Sequence, residues 1–317
     1  MTVLHLRLVC KEAETAEISR FEFEQVNGDE LPAFEAGAHV DFHLSGGLVR
    51  SYSLCGTPRN RQRYSIGVLR DPKSRGGSLA MHQLQVGDTL EVSHPKNHFP
   101  LTEASEYLLL AGGIGVTPMM CMAQVLHERS KKFRLHYAAR SQASAAFVPW
   151  LNSTPFSEQL SLHFDDEAPD QRLDFSRVLS TPMPDKHVYV CGPQGFINAA
   201  LTTARALGWP ENQLHFELFG ADVSGQAGDQ AFTVVLKNSG RHLSVPVNKT
   251  VAQVLHGAGI DLPVACEQGV CGTCLTRVTD GVPDHRDQYL TPEEQAANDQ
   301  FLPCCSRSKT AILGIDL

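Results

Sequence analysis

Short stretches in which apolar and polar residues alternate fill about the first hundred positions. Residues 39–44, HVDFHL, alternate with a period of two, which is typical of a strand with one buried face. Similar stretches occur at 51–54, 63–69 and 89–93, and turn-forming pairs such as Asp71-Pro72 separate them. The pattern predicts an antiparallel β-barrel.

After about one third of the chain the pattern changes to continuous apolar runs. Residues 107–111, YLLLA, lead into a glycine-rich segment and a helix-like stretch. Further runs occur at 134–139 and 187–190, and a helical stretch at 194–207 follows the last one. Apolar strands that alternate with helices are typical of βαβ units, so this part predicts an α/β domain with a parallel sheet.

A third pattern follows residues 220–230, GADVSGQAGDQ, which are small and polar and predict a linker. Residues 232–236 and 242–247 predict a hairpin, and residues 250–259 predict a helix. Residues 291–294, TPEE, form a capping box with proline at the first helical position, which predicts a second short helix. We therefore expect a multidomain chain with domains at 1–102, 103–222 and 223–317.

Composition and charge exclude several classes of protein. The chain has 317 residues, of which 42% are hydrophobic, and this suits several globular domains. It has no run of roughly 20 apolar residues, and its first segment becomes acidic too early for an export signal. The net charge of −8, without a basic run, argues against nucleic acid or a membrane surface as a partner. We expect a cytoplasmic protein.

Five of the nine cysteines lie in the last 52 positions. Cys266, Cys271 and Cys274 follow the spacing C-x4-C-x2-C, and Cys304 comes after 29 further residues. This is the spacing of plant-type 2Fe–2S ferredoxins, in which three thiolates come from one loop and the fourth from a distant segment. We therefore predict that these four cysteines hold a 2Fe–2S cluster.

Two alternatives to this ligand set stay open. Cys305 is adjacent to Cys304, and only one of the two is expected to face the cluster; the spacing favours Cys304. A zinc site is the other alternative, although structural zinc usually uses two C-x2-C pairs and this chain has one. Gly269 and Gly272 are expected to let the loop backbone approach the cluster sulfides.

Residues 50–54, RSYSL, resemble the RxYS signature of ferredoxin-reductase flavin domains. On a strand Arg50 and Tyr52 would share one face, so that the arginine can hold a phosphate and the tyrosine can contact an isoalloxazine ring. Ser53 would place a hydroxyl near flavin N5. The alternative is a surface strand that carries these residues by chance.

A second candidate flavin motif, Gly76-Gly77-Ser78, precedes a helix-like stretch. Free N–H groups at a helix start favour an anion, and glycines let a phosphate approach; a simple turn is the alternative. The preceding strand is expected to line the flavin edge. The candidate flavin-binding residues are Arg50, Ser51, Tyr52, Ser53, Ile66, Val68, Gly76, Gly77 and Ser78.

Residues 111–118, AGGIGVTP, lie between an apolar strand and a helix, where the phosphates of a dinucleotide approach the backbone, although the usual G-x-G-x-x-G fingerprint is met only loosely. Thr117 is expected to cap the helix, with Pro118 at its first position. Residues 191–193, CGP, follow the third apolar run, at the strand end where parallel sheets bind ligands. A buried small residue is the alternative for Cys191. The candidate nicotinamide-binding residues are Gly113, Gly115, Thr117, Cys191, Gly192 and Pro193.

These segments together resemble the phthalate dioxygenase reductase family over essentially the whole chain, and most closely its vanillate demethylase reductase-like members. The resemblance implies a flavin-binding barrel, a nicotinamide-binding domain and a C-terminal β-grasp ferredoxin domain, in that order. The motifs that carry it are RSYSL at 50–54, GGS at 76–78, AGGIGVTP at 111–118, CGP at 191–193, CEQGVCGTC at 266–274, GVPDHRD at 281–287 and PCCSR at 303–307.

The resemblance also implies cofactors and roles. HPKNHFPL at 94–101 is similar to the branch of the family that binds FMN rather than FAD, and FELFG at 216–220 makes Phe219 a candidate flavin neighbour, with a core phenylalanine as the alternative. Ser53 and Cys191 become the candidate catalytic residues. The resemblance gives FMN to Arg50, Tyr52, Ser53 and Ser78, and the nicotinamide to Gly113, Thr117, Cys191 and Gly192.

The implied function is electron transfer from NADH through FMN and the cluster to a terminal Rieske-type oxygenase. NADPH stays open, because Arg140-Ser141 can accept a 2′-phosphate whereas Asp165 and Asp166 would repel one. Two other functions stay open as well. One is a reductase for a cytochrome P450 or a diiron oxygenase, and the other is a non-enzymatic redox-sensing or zinc-binding protein.

Overall fold

The computed structural model describes residues 3–45, 48–71, 76–219, 228–264, 267, 269, 272–287 and 289–317. The chain forms two compact units, Met1–Phe219 and Gly220–Leu317. Most of the predicted linker at 220–230 lies outside the described residues. No helix within these described ranges is both long and apolar enough to cross a membrane.

The first unit begins with an antiparallel barrel whose strands follow the order β4-β3-β6-β1-β2-β5. An antiparallel bridge between Leu54 and Ile66 joins its two ends. On β3, Val40 and Phe42 are fully buried in the core and His43 is exposed. His39 and Asp41 on the other face are buried as well, so the expectation of a single buried face was wrong for this strand. The elements are β1 (Val3–Ala13), β2 (Ile18–Gln25), β3 (Ala38–His43), β4 (Val49–Ser53), β5 (Tyr64–Leu69), α1 (Gly77–Gln83), β6 (Thr89–Ser93) and β7 (Lys96–Asn97).

The second half of this unit is a five-stranded parallel sheet in the order β10-β9-β8-β11-β12. The chain leaves β8 for one side of the sheet and later returns to the other side, so the order reverses between β8 and β11; ligands bind at such a point in open α/β sheets. The elements are β8 (Glu106–Gly112), α2 (Val116–Glu128), β9 (Lys132–Ala139), α3 (Val148–Ser153), β10 (Leu160–Phe164), α4 (Phe175–Val178), β11 (Lys186–Gly192), α5 (Gln194–Ala206) and β12 (Leu214–Leu218).

The second unit contains a mixed sheet in the order β14-β13-β19-β15-β17, beside a separate pair of β16 and β18. Its first two strands form the predicted hairpin. The predicted helix starts at a capping box between Thr250 and Gln253 and buries Val251 and Leu255 against the sheet. The elements are β13 (Phe232–Leu236), β14 (His242–Val245), α6 (Val251–Gly257), β15 (Thr276–Asp280), β16 (Pro283–Asp284), α7 (Pro292–Ala297), β17 (Gln300–Phe301), β18 (Arg307–Ser308) and β19 (Ile312–Ile315).

Candidate functional site

Strand β4 presents the RSYSL motif on two faces of the barrel wall. Arg50 lies opposite Phe42 in the register, and the ring of Tyr52 lies 5.8 Å from that of Phe42, so both motif residues share the face of the barrel core. Ser51 and Ser53 occupy the opposite face. The Ser51 hydroxyl donates to Asp41 over 2.5 Å, so its hydrogen bond is made within the barrel.

Asp41 is a buried carboxylate that organises this outer face. It accepts hydrogen bonds from Ser51 and from Lys96, whose ammonium lies 2.6 Å away. Burial alone would raise the pKa of Asp41, but these two hydrogen bonds outweigh it and the pKa is lowered. The carboxylate therefore stays ionised and ties β3, β4 and β7 together beside Ser53.

Gly77 lets the Arg50 side chain lie across the first turn of α1. A Cβ atom at Gly77 would lie 2.4 Å from Arg50 Cγ and 2.6 Å from Arg50 Nε. Gly76 has φ +95°, which favours glycine. The Ser78 hydroxyl accepts a hydrogen bond from the Asp71 amide over 3.2 Å. The structure thus brings Arg50 and the GGS motif into one cradle.

His39 lies directly opposite Ser53 in the pairing of β3 with β4. Only 5% of its surface is exposed, and its Nε2 has no hydrogen-bond partner among the residues described by the structure. Burial lowers the pKa of His39 to about 4, so the imidazole is neutral. A buried polar atom that lacks a partner is costly, and here it lies beside a candidate flavin contact.

Ser53 also meets the end of the parallel sheet. Its hydroxyl donates to a Glu217 carboxyl oxygen 3.4 Å away, and Glu217 lies opposite Cys191 in the register of β12 with β11. Burial raises the pKa of Glu217 to about 8, although the Ser53 hydrogen bond acts in the other direction. Burial, and then the Glu217 charge, raise the pKa of Cys191, which therefore remains a neutral thiol.

Sequence reasoning missed Glu217. The residue lies within FELFG, the segment from which only Phe219 was chosen. The available signal was that this segment reads as a strand ending beside CGP, because strands of a parallel sheet end at the same edge. A carboxyl group at that edge would then fall near Cys191.

The two glycine motifs of the parallel sheet cross at the point where the strand order reverses. A Cβ atom at Gly115 would lie 2.2 Å from the Cys191 carbonyl oxygen, and one at Gly192 would lie 3.0 Å from Gly112 Cα. Gly113 has φ +54°, and no atom lies within 4 Å of the Cβ position it lacks. The close approach of the two backbone segments therefore requires glycine at 115 and 192, whereas the backbone of Gly113 borders open space.

The predicted helix cap at Thr117 was wrong. Residues 113–115 form a 3-10 turn that runs directly into α2, and Gly115 rather than Thr117 occupies the N-cap. The Thr117 hydroxyl instead donates to the Ile114 carbonyl over 3.0 Å. A Cβ atom at Gly67 would lie 2.7 Å from the Thr117 methyl group, so this side chain contacts the barrel strand β5.

Four other predicted residues lie at the borders of this region. Ile66 and Val68 bury their side chains in the barrel core, so only their backbone is available to a ligand. Pro193 is exposed at the N-cap of α5, just past the end of β11. Phe219 follows β12 and is 36% exposed, which makes it available to a ligand and argues against the core alternative.

The cysteine site lies in the second unit. Cys266 and Cys271 lie outside the described residues, whereas Cys274 and Cys304 are described and buried. Gly269 and Gly272 adopt left-handed φ values of +73° and +72°, as the close approach of the loop requires. A Cβ atom at Gly272 would lie 2.3 Å from the Tyr289 ring.

Cys305 lies against Gly269, one of these two glycines. Its Sγ atom donates to the Leu302 carbonyl over 3.7 Å, and a Cβ atom at Gly269 would lie 2.4 Å from it.

Comparison with known proteins gives matches along the whole chain. The model of the 2Fe–2S iron–sulfur cluster binding domain matches residues 234–309. Vanillate O-demethylase oxidoreductase of Pseudomonas sp. (strain HR199 / DSM 7063) is 51% identical over 314 residues, which covers 98% of each chain.

Solved structures give the same result. The structure of phthalate dioxygenase reductase, described as modular for electron transfer from pyridine nucleotides to [2Fe–2S], matches with a TM-score of 0.78 at 38% identity and covers 99% of this chain and 98% of that one. An intact type IV self-sufficient cytochrome P450 monooxygenase matches with a TM-score of 0.79 at 36% identity, over 99% of this chain and 41% of that one.

Proposed function

Because the chain belongs to the family of phthalate dioxygenase reductase and vanillate O-demethylase oxidoreductase, we propose that it is the reductase component of an oxygenase system. The predicted resemblance and the three-part fold class are confirmed. We propose NADH as the electron donor, FMN and a 2Fe–2S cluster as the resident cofactors, and a Rieske-type oxygenase as the acceptor. The observation that carries this proposal is the 51% identity along 98% of both chains, which spans all three parts.

The residues of the barrel suit FMN. In this proposal Arg50 and the backbone of Gly76 and Gly77 hold the phosphate, because the missing Cβ atom of Gly77 lets the Arg50 side chain lie against the start of α1. His39 on β3 and Ser53 on β4 lie opposite each other and supply polar atoms on the other face of these strands. Among the residues that the structure describes, His39 Nε2 has no hydrogen-bond partner. A ligand that forms a hydrogen bond with this nitrogen would remove the free-energy cost of burying it without a partner.

The cluster of Ser53, Glu217 and Cys191 suits the transfer of electrons from a nicotinamide. When bound, FMN accepts electrons in pairs and releases them singly, which a one-electron 2Fe–2S acceptor requires. In this proposal Glu217 holds a proton and accepts the hydrogen bond that the Ser53 hydroxyl donates. Cys191 adds a small uncharged surface at the end of β11, where a charged thiolate would repel the anionic cofactors.

The nicotinamide dinucleotide is proposed to lie along the open backbone of Gly113 and Gly192. NADH is favoured over NADPH because the Arg140 guanidinium pairs with Glu17 over 3.0 Å instead of standing free for a 2′-phosphate. Asp165 and Asp166 are exposed after β10 and add negative charge on that side.

Cys266, Cys271, Cys274 and Cys304 are the proposed cluster ligands. The buried Cys274 and Cys304 and the left-handed glycines fit a loop that closes around the cluster, and the ferredoxin spacing favours Cys304 as the fourth ligand. The match to the 2Fe–2S domain model favours iron and sulfide over the zinc alternative.

The test is the composition and reactivity of the protein purified without oxygen. We expect FMN, iron and acid-labile sulfide, and bleaching of both chromophores by NADH but much less by NADPH. Reconstitution with a Rieske oxygenase should give substrate turnover. FAD in place of FMN would contradict the cofactor assignment, and a protein without iron and sulfide would contradict the proposed function.

A cytochrome P450 is the second candidate acceptor, because a similar reductase occupies 41% of a self-sufficient P450 monooxygenase. The same preparation should be tested with a separate bacterial P450 at equal concentration. Turnover with the P450 but not with the oxygenase would favour this second function.

A further inference from the structure

The motif GVPDHRD and the last two residues of PCCSR, Ser306 and Arg307, have no role in the function proposed so far, yet they meet beside the cysteine loop. β16 pairs antiparallel with β18, with Asp284 opposite Arg307. This pairing brings Asp287 next to Ser306, two residues after Cys304.

Asp287 is buried between the two segments that carry the proposed ligands. Its side chain has 0% exposure. One carboxyl oxygen accepts the Leu290 amide over 2.9 Å, and the other accepts the Ser306 hydroxyl over 3.2 Å. A Cβ atom at Gly269 would lie 3.0 Å from Asp287 Cα and 3.1 Å from its Cβ, so Gly269, which comes between Cys266 and Cys271 in the sequence, packs directly on this residue.

Within the described part of the second unit, no lysine or arginine forms an ion pair with this carboxylate, and His285 is the one basic side chain within 4 Å of it. Both of its donors are uncharged. The neighbouring Arg286 directs its guanidinium to Asp229 and Asp284, over 3.0 Å and 2.8 Å. His285 Nδ1 lies 3.5 Å from the carboxylate and forms no hydrogen bond with it, and neither ring nitrogen has a partner among the described residues. A buried carboxylate that accepts hydrogen bonds only from uncharged donors is costly, which argues for a function.

We propose that the Asp287 carboxylate lowers the reduction potential of the 2Fe–2S cluster, an inference that rests on the proposed function. Reduction adds an electron to a centre that is already anionic, and net charge around a cluster sets its potential. A negative charge in a buried position acts strongly because the surrounding medium screens it poorly. Asp287 would thus act through the field at the cluster and not as a ligand.

The test compares neutral variants of Asp287 with a matched surface variant. Asp287→Asn and Asp287→Ser both remove the charge, and both side chains can still accept the Leu290 amide. Asp280→Asn removes an exposed carboxylate at the end of β15 and serves as the control. The cluster potential of the FMN- and iron-containing protein is measured by redox titration with electron paramagnetic resonance at about pH 8, where a free imidazole is mostly neutral.

We expect a tenfold or larger increase in the equilibrium constant for cluster reduction in both Asp287 variants, which is about 59 mV for a one-electron couple. The control should move by less than a third of that. An unchanged potential in the Asp287 variants, or an equal shift in the control, would overturn the proposal. Folded Asp287 variants without iron would overturn it in favour of a purely structural role. A wild-type protein that lacks iron and sulfide would instead contradict the proposed function.

Discussion

At the scale of single residues, the buried Glu217 makes the stability of the first unit depend on pH. Burial raises its pKa from 4.5 to about 8. Near neutral pH the folded protein therefore holds a proton here that the unfolded chain has lost. The free energy of unfolding consequently decreases as pH rises from about 4.5 to about 8, and this contribution is fully present only at the acidic end.

Glu217→Gln should remove this dependence. Between about pH 6 and about pH 8 the free energy of unfolding of the variant should fall less steeply than that of the wild type, by on the order of 1 kcal/mol per pH unit. Urea titration followed by tryptophan fluorescence measures it, because both tryptophans, Trp150 and Trp209, lie in the first unit. The exposed Glu158→Gln is the control, and equal slopes for all three proteins would contradict the assignment.

Gly77 is the residue-scale test of the phosphate cradle. Gly77→Ala places a methyl group 2.4 Å from Arg50 Cγ, so Arg50 must move and FMN should bind about tenfold more weakly, a loss of about 1.4 kcal/mol. Flavin fluorescence during titration of the apoprotein with FMN measures the affinity. Gly257→Ala is the matched control, because no atom lies within 4 Å of its missing Cβ. Unchanged affinity in Gly77→Ala would refute the cradle.

Cys304 and Cys305 differ in their predicted response to substitution. Cys305→Ala removes a thiol that bonds to the Leu302 carbonyl, so the protein should keep its iron and lose about 1 kcal/mol of stability. Cys304→Ala should lose the cluster. Iron and sulfide per chain and the visible spectrum distinguish the two, and the reverse result would make Cys305 the fourth ligand.

At the scale of elements, strong periodicity made the sequence informative. Strands β3 to β6 of the barrel, strands β8, β9 and β11 of the parallel sheet, the helix that follows Thr250 and the capping box at Thr291 lie close to where their patterns predict. The start of α2 was missed because a 3-10 turn of glycines joins the helix without a side-chain cap. The pairing of Ser53 with Glu217 was not predictable, because it joins residues 164 positions apart.

Two histidine pairs across neighbouring strands of the parallel sheet are a further feature that no local pattern predicts. Nδ1 of His136 lies 3.0 Å from Nε2 of His163, and Nδ1 of His187 lies 2.8 Å from Nε2 of His215. Each pair shares one hydrogen bond, which requires that one ring nitrogen carry no proton. Burial, and then the partner ring, lower the pKa of both His136 and His215 to about 4.

Acid should therefore destabilise the sheet. The folded pKa lies below the ordinary 6.5, so stability is fully present above that pH and is lost as pH falls toward about 4. Replacing both His136 and His215 by Gln should flatten the fall between about pH 6.5 and about pH 5, by on the order of 1 kcal/mol per pH unit. Urea unfolding at each pH measures it, with the exposed His43→Gln as control. A variant as acid-sensitive as the wild type would contradict this origin.

At the scale of the whole molecule, the division into two units separates the steps of the proposed function. Residues 1–219 contain the candidate flavin and nicotinamide residues, and residues 220–317 contain the cysteines. The second unit has ten acidic and seven basic residues between 229 and 317. Leu275 and Tyr289, which are each 39% exposed, lie next to the cysteine loop. We expect an oxygenase partner to approach this unit with a basic surface.

Electrostatic attraction between the partners should make turnover sensitive to salt. Exposed charges are screened beyond about 8 Å at physiological ionic strength, so the association rate should fall as salt is added. With oxygenase below saturation, turnover should fall about tenfold between low and high ionic strength. Reduction of the cluster by saturating NADH in a single turnover needs no partner and should change little, which separates docking from internal transfer. Partner turnover that is indifferent to salt would show that apolar contacts, such as those of Leu275 and Tyr289, dominate docking instead.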